Sequence, residues 1–310
     1  KTARDFDSLV FDGNRTGEFL PLIWTDSSKR VNDLNGFAIP SYVGDSRQNS
    51  STNVHEAITG IAAVLGGTLV GLDKLEHAKR IGIHYHEKNK IGLYLNQAGT
   101  VGDSFWYDLL PSLLFCQVFD RFPEVNGFNE QMISTAEKWQ TIFHQLDGDF
   151  DHTGYNFYTK RAVDRGWSEA DAVAGIACLQ YFAWQKTGNR KYFETSQAAL
   201  YWMDRRLENP FYESLIPYGA YVSARINAMH GTSHDTKKFI EWVLAGDNPR
   251  KWGAMLENWY QTPVHGLVGS VYPEYEYAFS MNSFQAVGIM APIARYEEKF
   301  ARDLAKWILN

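Results

Sequence analysis

The feature that most constrains the fold is a recurring pair of predicted helices, in which an apolar helix is followed by a charged one. In the first pair, residues 53–71 are apolar on nearly every side, which predicts burial on most faces. Residues 74–88 follow with charge along one face, as is typical of a helix that covers a core. The same alternation predicts four further pairs, at residues 104–122 and 129–146, 168–187 and 190–207, 212–229 and 233–244, and 277–293 and 296–309, with a short helix at 249–260.

Helix pairs that recur at intervals of roughly 40 to 70 residues indicate a repeat architecture. If the apolar helices form an inner ring and the charged helices an outer ring, closure of the ring buries each inner helix on both sides. We therefore predict an all-α fold, an (α/α) toroid of helical hairpins that occupies residues 53–310. Residues 1–52 are polar and lack this pattern, so we expect an irregular N-terminal segment packed on the toroid.

Composition and charge narrow the classes of partner. The net charge of −6 gives no general attraction to phosphate backbones or anionic lipid, so we expect neither nucleic acid nor a membrane surface as a partner. The longest apolar stretch, residues 58–72, is too short and too rich in glycine to span a bilayer, so no membrane insertion is expected. Cys116 and Cys178 lie in apolar helical patterns, which predicts two free, buried thiols.

No metal or other cofactor is expected. His84 and His86 are two residues apart on a predicted helix and face different ways, and His230 and His234 flank a helix break. Phosphate-loop, dinucleotide and serine-nucleophile motifs are absent from the sequence. The chain starts at Lys1 without Met, which a removed export signal or simple trimming would explain. We expect an exported protein, periplasmic or extracellular, with the cytoplasm as the alternative.

The segment 174–203 joins an apolar helix to a charged one through a turn of distinctive pattern. The residues of this pattern are Thr187, Gly188, Asn189 and Tyr192, with Ser196 where alanine is usual. The segment resembles a hairpin of the six-hairpin glycosidase superfamily, whose toroids close with six pairs. Five pairs are predicted here, so either residues 1–52 take the place of the sixth pair or the chain is a fragment of a longer one. The resemblance implies a carbohydrate-active enzyme with its cleft at the barrel end where the inner helices begin.

Carboxylates near the predicted starts of the inner helices are therefore the candidate catalytic residues, because glycoside hydrolysis needs one protonated and one ionised carboxyl group. At the third inner helix, Glu169 and Asp171 are two apart on a predicted helix, so they should not share a face. Asp171 leads directly into an apolar run and is the first choice, whereas Glu169 could simply complement the helix dipole. The other candidates are Asp108 in the second inner helix and Glu274 and Glu276 before the last.

Aromatic side chains at the same positions are predicted to stack on sugar rings. The chain has ten Trp, seventeen Tyr and nineteen Phe, although a large core would explain this richness too. The candidate substrate-binding residues are Trp106, Tyr107, His152, Tyr155, Trp167 and Tyr272. For Trp106 and Tyr107, packing between helices is an equally good interpretation. The fourth pair of helices offers Tyr212 and Glu213 at its start.

Three functions follow as alternatives. The first, implied by the resemblance, is a glycoside hydrolase that acts on an oligo- or polysaccharide. The second is a polysaccharide lyase on the same scaffold, in which Tyr155 and His152 abstract and return a proton beside a uronate. The carboxylate of the uronate would be neutralised by Asn156, Arg161 or Arg165. The third is a non-catalytic carbohydrate-binding or scaffold protein, whose carboxylates would all be paired with Arg or Lys.

Overall fold

The chain is mostly helical in its computed structural model, which describes residues 1–49, 56–97, 102–246, 249–255, 258–259, 261–270, 277–278 and 280–310. Within these ranges there are eleven α-helices and nine strands of two to four residues. The largest sheet that they form has three strands. The predicted all-α class is therefore confirmed at the level of a mostly helical fold.

The helices are α1 (Thr2–Val10), α2 (Ala57–Leu69), α3 (Leu75–Ala78), α4 (Phe105–Arg121), α5 (Phe128–Gln145), α6 (Ala172–Thr187), α7 (Arg190–Arg205), α8 (Ile216–His230), α9 (Thr236–Ala245), α10 (Ser280–Met290) and α11 (Ala301–Leu309). The strands are β1 (Trp24–Asp26), β2 (Gly36–Ala38), β3 (Gly154–Asn156), β4 (Arg161–Val163), β5 (Trp252–Met255), β6 (Asn258–Trp259), β7 (Thr262–Pro263), β8 (Leu267–Ser270) and β9 (Tyr277–Ala278). The predicted inner helices correspond to α2, α4, α6, α8 and α10.

The chain forms two compact units. The first consists of Lys1–Trp139 and Tyr155–Arg161, and the second of Gln140–Gly154 and Ala162–Asn310. In the first unit α2 packs against α4, and β1 pairs antiparallel with β2. In the second unit α6 packs against both α7 and α8, and α8 packs against α9. The third and fourth predicted helix pairs are thus confirmed as the hairpins α6–α7 and α8–α9.

In the first unit, Asn96 organises the start of α2. Its carbonyl oxygen accepts the N–H of Ala57 at 2.9 Å, and its side-chain oxygen accepts the N–H of Ile58 at 3.0 Å. A helix start leaves its first amides without intrahelical partners, and Asn96 satisfies two of them. Tyr94, two residues before Asn96, stacks on Phe115 of α4 with ring centroids 4.0 Å apart. The segment that caps α2 is therefore itself anchored to α4.

In the second unit, the turn that carries the resemblance is a tight helix-to-helix connection. Gly188 ends α6 in the left-handed conformation (φ 68°), and Asn189 caps α7 by accepting the N–H of Lys191 at 3.3 Å. The helices α6 and α8 approach so closely that a Cβ atom on Gly219 would lie 2.8 Å from the Cβ of Ala174. The helices α6 and α8 therefore pack in close contact at Gly219 and Ala174.

One predicted helix is largely replaced by irregular chain. Over residues 74–88 the structure has only the four-residue α3 and the 3-10 helix Ile81–His84, so the prediction of a full helix is wrong. From Tyr85 onward the chain turns back on itself: Tyr85 and Tyr94 form an antiparallel bridge, and the N–H of His86 donates to the carbonyl of Leu93 at 2.8 Å. Helical periodicity alone does not report such a contact.

The predicted short helix at 249–260 is also wrong. Its residues form β5 and β6, and β5 pairs antiparallel with β8 so that Gly253 lies opposite Gly269. The backbone of Gly253 packs so tightly on Gly246 that an added side chain would collide with it. Glycine weakens a helix and permits close backbone approach, which favours the strand here.

The N-terminal segment is less irregular than expected, because it contains α1 and the strand pair β1–β2. Asp7 of α1 forms an ion pair with Lys74 in which the oxygen and nitrogen are 2.7 Å apart, and both side chains are largely shielded from solvent. The ammonium group of Lys74 also lies 3.4 Å from the ring centroid of Phe11. These contacts with residues distant in sequence give α1 its place in the first unit.

Two of the helices predicted to form the inner ring, α6 and α8, begin four residues later than predicted. Glu169 therefore lies in the turn before α6, and Asp171 is the N-cap residue of that helix. The expectation that these two residues lie on one helix, on different faces of it, is therefore wrong. Residues 168–171 and 212–215, which were predicted to begin these two helices, instead form loops in front of them. These loops carry the candidate active site.

Candidate active site

Asp171, at the N-terminus of α6, is fully buried. Its Oδ2 accepts the N–H of Tyr212 at 3.1 Å, and the N–H of Leu215 also bonds to this carboxyl group. Burial raises the pKa of Asp171 well above its ordinary value, and the charges of Glu169 and Glu213 raise it further. The carboxyl group therefore holds its proton readily and ties the loop before α8 to the start of α6.

Glu169 is also fully buried and is fixed at both its side chain and its backbone. Its Oε1 accepts the indole N–H of Trp167 at 2.8 Å. Its backbone N–H donates to the carbonyl of His152 at 2.9 Å, and its carbonyl accepts the N–H of Ala172 at 3.0 Å. These bonds hold the Glu169 carboxyl group in one orientation beside the other two acids.

Glu213 lies in the loop before α8 and is partly exposed. Its backbone is left-handed (φ 57°), a conformation that residues other than glycine seldom adopt and that concentrates at functional sites. Burial of the carboxyl group raises the pKa of Glu213 to about 7, and the charge of Glu169 acts in the same direction. A hydrogen bond from Tyr212 and the charge of Arg250 oppose the rise. Near neutral pH Glu213 therefore exchanges between its protonated and ionised forms.

Arg250 brings a positive charge and packs on two rings of the site. Its guanidinium carbon lies 4.4 Å from the ring centroid of Tyr212 and 5.4 Å from that of Trp167, within cation–π range. Tyr212 also meets Trp252 of β5 edge to face, with centroids 5.9 Å apart. The Trp167 side chain is 37% exposed, so its ring is accessible from solvent. These aromatic rings thus lie against one side of the acidic cluster, the group formed by Glu169, Asp171 and Glu213.

The arrangement is suited to proton transfer. Neighbouring carboxyl groups in a shielded site cannot all be ionised, because each charge disfavours the next. The cluster of Glu169, Asp171 and Glu213 therefore retains protons near neutral pH. Glu213 is half-buried as a residue, whereas Glu169 and Asp171 are fully buried, so it is the member of the three best placed to meet a bound molecule.

The ring of the candidate His152 pairs with acids of its own loop. Its Nδ1 lies 2.7 Å from Asp164 Oδ1, and its Nε2 lies 3.7 Å from Asp149 Oδ2. The connection of His152 to the acidic cluster is through its carbonyl oxygen, which accepts the N–H of Glu169. The residue thus supports the position of Glu169, and its ring is engaged with acids outside the cluster.

Four candidates lie in the first unit: Trp106, Tyr107, Asp108 and Tyr155. Asp108 is buried, and its Oδ2 accepts the N–H of Gly102 at 3.0 Å, which closes the turn before α4. Trp106 is buried and meets the exposed Tyr107 edge on, with ring centroids 4.5 Å apart. Burial raises the pKa of Tyr155. That these residues share a cleft with the carboxyl groups of the second unit stays a prediction.

The remaining candidates, Tyr272, Glu274 and Glu276, lie outside the described residues, and their roles stay predictions. Within the part of the chain that the structure describes, no group of three or more His, Cys, Asp or Glu side chains is placed to hold a metal ion. None of the helices described there is long and apolar enough to cross a membrane.

Comparison of the chain with protein-family models, with curated proteins and with solved structures finds no match. The interpretation of the site therefore depends on its own chemistry.

The sequence offers Glu213 at the start of the fourth pair of helices but does not single it out as a catalytic candidate, and it gives no indication of Arg250. The signal for Glu213 is its place just before an apolar helix, the same signal that selects Glu169. Its left-handed backbone has no sequence signature. Arg250 lies far along the chain from Trp167 and Tyr212, and only the fold brings it onto their rings.

Proposed function

We propose that this chain is a glycoside hydrolase that acts on an oligo- or polysaccharide and is built as an (α/α) toroid. The observation that carries the proposal is the cluster of Glu169, Asp171 and Glu213, in which burial and neighbouring negative charge hold protons on carboxyl groups near neutral pH. The resemblance of the α6–α7 hairpin to those of six-hairpin glycosidases supports it. So does the position of the cluster at the starts of two inner helices.

Glu213 is the proposed general acid. A glycosidase acid must be protonated at the working pH, and its pKa is raised for that purpose by burial and by a neighbouring carboxylate. Glu213 meets this requirement with a pKa of about 7 and partial exposure. Its proton would pass to the glycosidic oxygen as the bond from that oxygen to the anomeric carbon breaks. Trp167, whose ring is partly exposed, would stack on the sugar beside it.

Glu169 and Asp171 are proposed as positioning residues, because full burial keeps them from touching a substrate. The charge of Glu169 helps to keep Glu213 protonated. Asp171 fixes the loop that carries Glu213 through the N–H groups of Tyr212 and Leu215. The second catalytic carboxylate, which attacks the anomeric carbon or activates water, is then Glu274 or Glu276, which the sequence places before α10.

The raised pKa values of the tyrosine phenols favour hydrolysis over the lyase alternative. A tyrosine that abstracts a proton works best when its phenol pKa is lowered towards neutral. Burial instead raises the pKa of Tyr155, and it raises that of Tyr212 strongly, with further rises from Glu213 and Glu169. These phenols are therefore poor bases, whereas the carboxyl cluster is well placed to act as an acid.

The proposal is tested by a turnover screen on a panel of soluble neutral and acidic polysaccharides. New reducing ends without ultraviolet absorbance from unsaturated uronates are expected. Glu213→Gln should lower the rate by about 10²- to 10⁴-fold, the usual contribution of a general acid. Glu194→Gln is the matched control, because Glu194 is an exposed partner of Arg190 on α7, and it should keep the native rate. Unsaturated products would indicate a lyase, and binding without any products would indicate a non-catalytic protein; either result contradicts the proposal.

A further inference from the structure

A cavity with a volume of about 630 Å³ lies in the second unit. None of its lining residues belongs to the cluster of Glu169, Asp171 and Glu213. Small-molecule sites in proteins have volumes of roughly 300 to 1,000 Å³, so the space is large enough for a ligand.

One wall of this cavity is the turn that ends α5. Asp147 (φ 49°) and Gly148 (φ 75°) both adopt the left-handed conformation there, and the N–H of Gly148 donates to the carbonyl of Phe143 at 3.2 Å. A Cβ atom on Gly148 would lie 3.1 Å from Cδ1 of Trp202. The absence of a side chain at Gly148 thus lets the turn approach the Trp202 ring closely.

The other wall is the last turn of α7, where two aromatic–arginine pairs follow helical spacing. Tyr201 and Arg205 are four residues apart, with the guanidinium carbon 5.5 Å from the ring centroid. Trp202 and Arg206 repeat the arrangement at 5.1 Å. Tyr201 is 58% exposed, so its ring can still stack on a ligand.

The charges in the cavity define the class of ligand. The guanidinium of Arg206 donates to both oxygens of Asp151, at 2.8 and 2.6 Å, so these two charges compensate each other. The remaining charged side chains, Arg205 and Asp147, are one cation and one anion. The two arginines and two aspartates leave no net charge, so a strongly anionic or cationic ligand gains nothing here.

We propose that this cavity binds neutral pyranose units of a glycan. A pyranose offers an apolar ring face for Tyr201, and pairs of hydroxyl groups that can donate to the Asp147 carboxylate and accept from the Arg205 guanidinium. Asp151 also accepts a hydrogen bond from Ser168 at 3.3 Å, and Ser168 directly precedes Glu169 in the chain. The loop that carries the acidic cluster therefore forms part of the support of this cavity. The proposal concerns binding and does not depend on whether the chain has hydrolase activity.

The test is affinity electrophoresis of the full chain through native gels that contain hydroxyethyl cellulose, arabinoxylan, amylopectin or galactomannan. At least one of these probes is expected to retard the native protein. The double variant Tyr201→Ala/Arg205→Ala should bind that polysaccharide about tenfold more weakly, since it loses a stacking face and a charge-assisted hydrogen bond. Asp147→Asn, which suits the left-handed backbone and removes only the charge, should weaken binding as well.

The matched control is Tyr42→Ala/Arg302→Ala, which removes an exposed tyrosine and an exposed arginine far from the cavity residues in sequence. This variant should bind as the native protein does, and all variants should keep the native circular dichroism spectrum. In a Glu213→Gln background, Tyr201→Ala/Arg205→Ala should weaken polysaccharide binding by the same factor as in the native protein. This result would show that the cavity binds glycan independently of the acidic cluster. Failure of all four polysaccharides to retard the native protein, or equal retardation of the Tyr201/Arg205 variant and the native protein, would overturn the proposal.

Discussion

The replacement Glu213→Gln should stabilise the folded protein at alkaline pH and leave its stability unchanged at acidic pH. Glutamine keeps the shape of the side chain and can still accept the hydrogen bond of Tyr212, but it carries no charge. The native carboxyl group has its pKa raised from 4.5 to about 7, chiefly by burial. Ionisation of Glu213 is therefore harder in the folded protein than in the unfolded chain.

The size of the effect follows from the difference between the two pKa values. A rise of about 2.5 units corresponds to about 3 kcal/mol, at about 1.4 kcal/mol per unit. Because Glu213 is partly exposed, solvent screening reduces the expected effect to about 1–3 kcal/mol. The folded state binds the extra proton only between the two pKa values, so the penalty is absent below about pH 4.5, grows up to about pH 7 and is complete above it.

Urea unfolding of native protein and variant at about pH 4 and about pH 8 measures this difference. The Glu213→Gln variant should be more stable than the native protein at the higher pH, with a difference that nearly disappears at the lower pH. Glu194→Gln, at an exposed site, should show no such pH-dependent gain. An equal effect of Glu213→Gln at both pH values would refute the argument that Glu213 carries a raised pKa.

Three further results are expected. Glu169→Gln should move the alkaline limb of the pH–rate profile to lower pH, because it removes a charge that raises the pKa of Glu213; an unmoved limb would contradict that coupling. Gly219→Ala should lower the free energy of unfolding by about 1–3 kcal/mol in urea, because the new methyl group collides with α6, and an unchanged stability would be inconsistent with the packing. Thiol titration of the native protein should be slow at Cys116, which is buried as predicted, and at Cys178, which is half-buried rather than buried but whose pKa is raised by desolvation to about 12, whereas rapid labelling of either would disagree with the structure.

The helical part of the fold is predictable from the sequence because it depends on local periodicity. The α6–α7 and α8–α9 hairpins follow from apolar spacing and from turn residues such as Gly188 and Asn189. The strand β5 does not, because its conformation depends on the pairing of Gly253 with Gly269 and on close packing against Gly246. Contacts of this kind between distant residues have no periodic signature.

Part of the candidate site is also predictable, because it lies beside an apolar helix that local periodicity reveals. Glu169 and Asp171 stand before an apolar helix, and the structure places both in one buried cluster. Their burial, and with it the proposed change from catalytic to positioning roles, depends on the loop before α8. The choice of Glu213 as the general acid depends on its partial exposure and on its electrostatic coupling to Glu169 and Arg250. Neither property follows from the local sequence.

Leaving-group dependence tests most directly whether Glu213 delivers a proton to a departing sugar. Two substrates of the glycan class found in the turnover screen are compared, one with a sugar as leaving group and one with dinitrophenolate, which departs without protonation. Glu213→Gln should lower kcat/KM by about 10²-fold or more for the sugar leaving group and by less than about tenfold for dinitrophenolate. Equal losses for both substrates, or no loss for either, would contradict a role for Glu213 as the general acid.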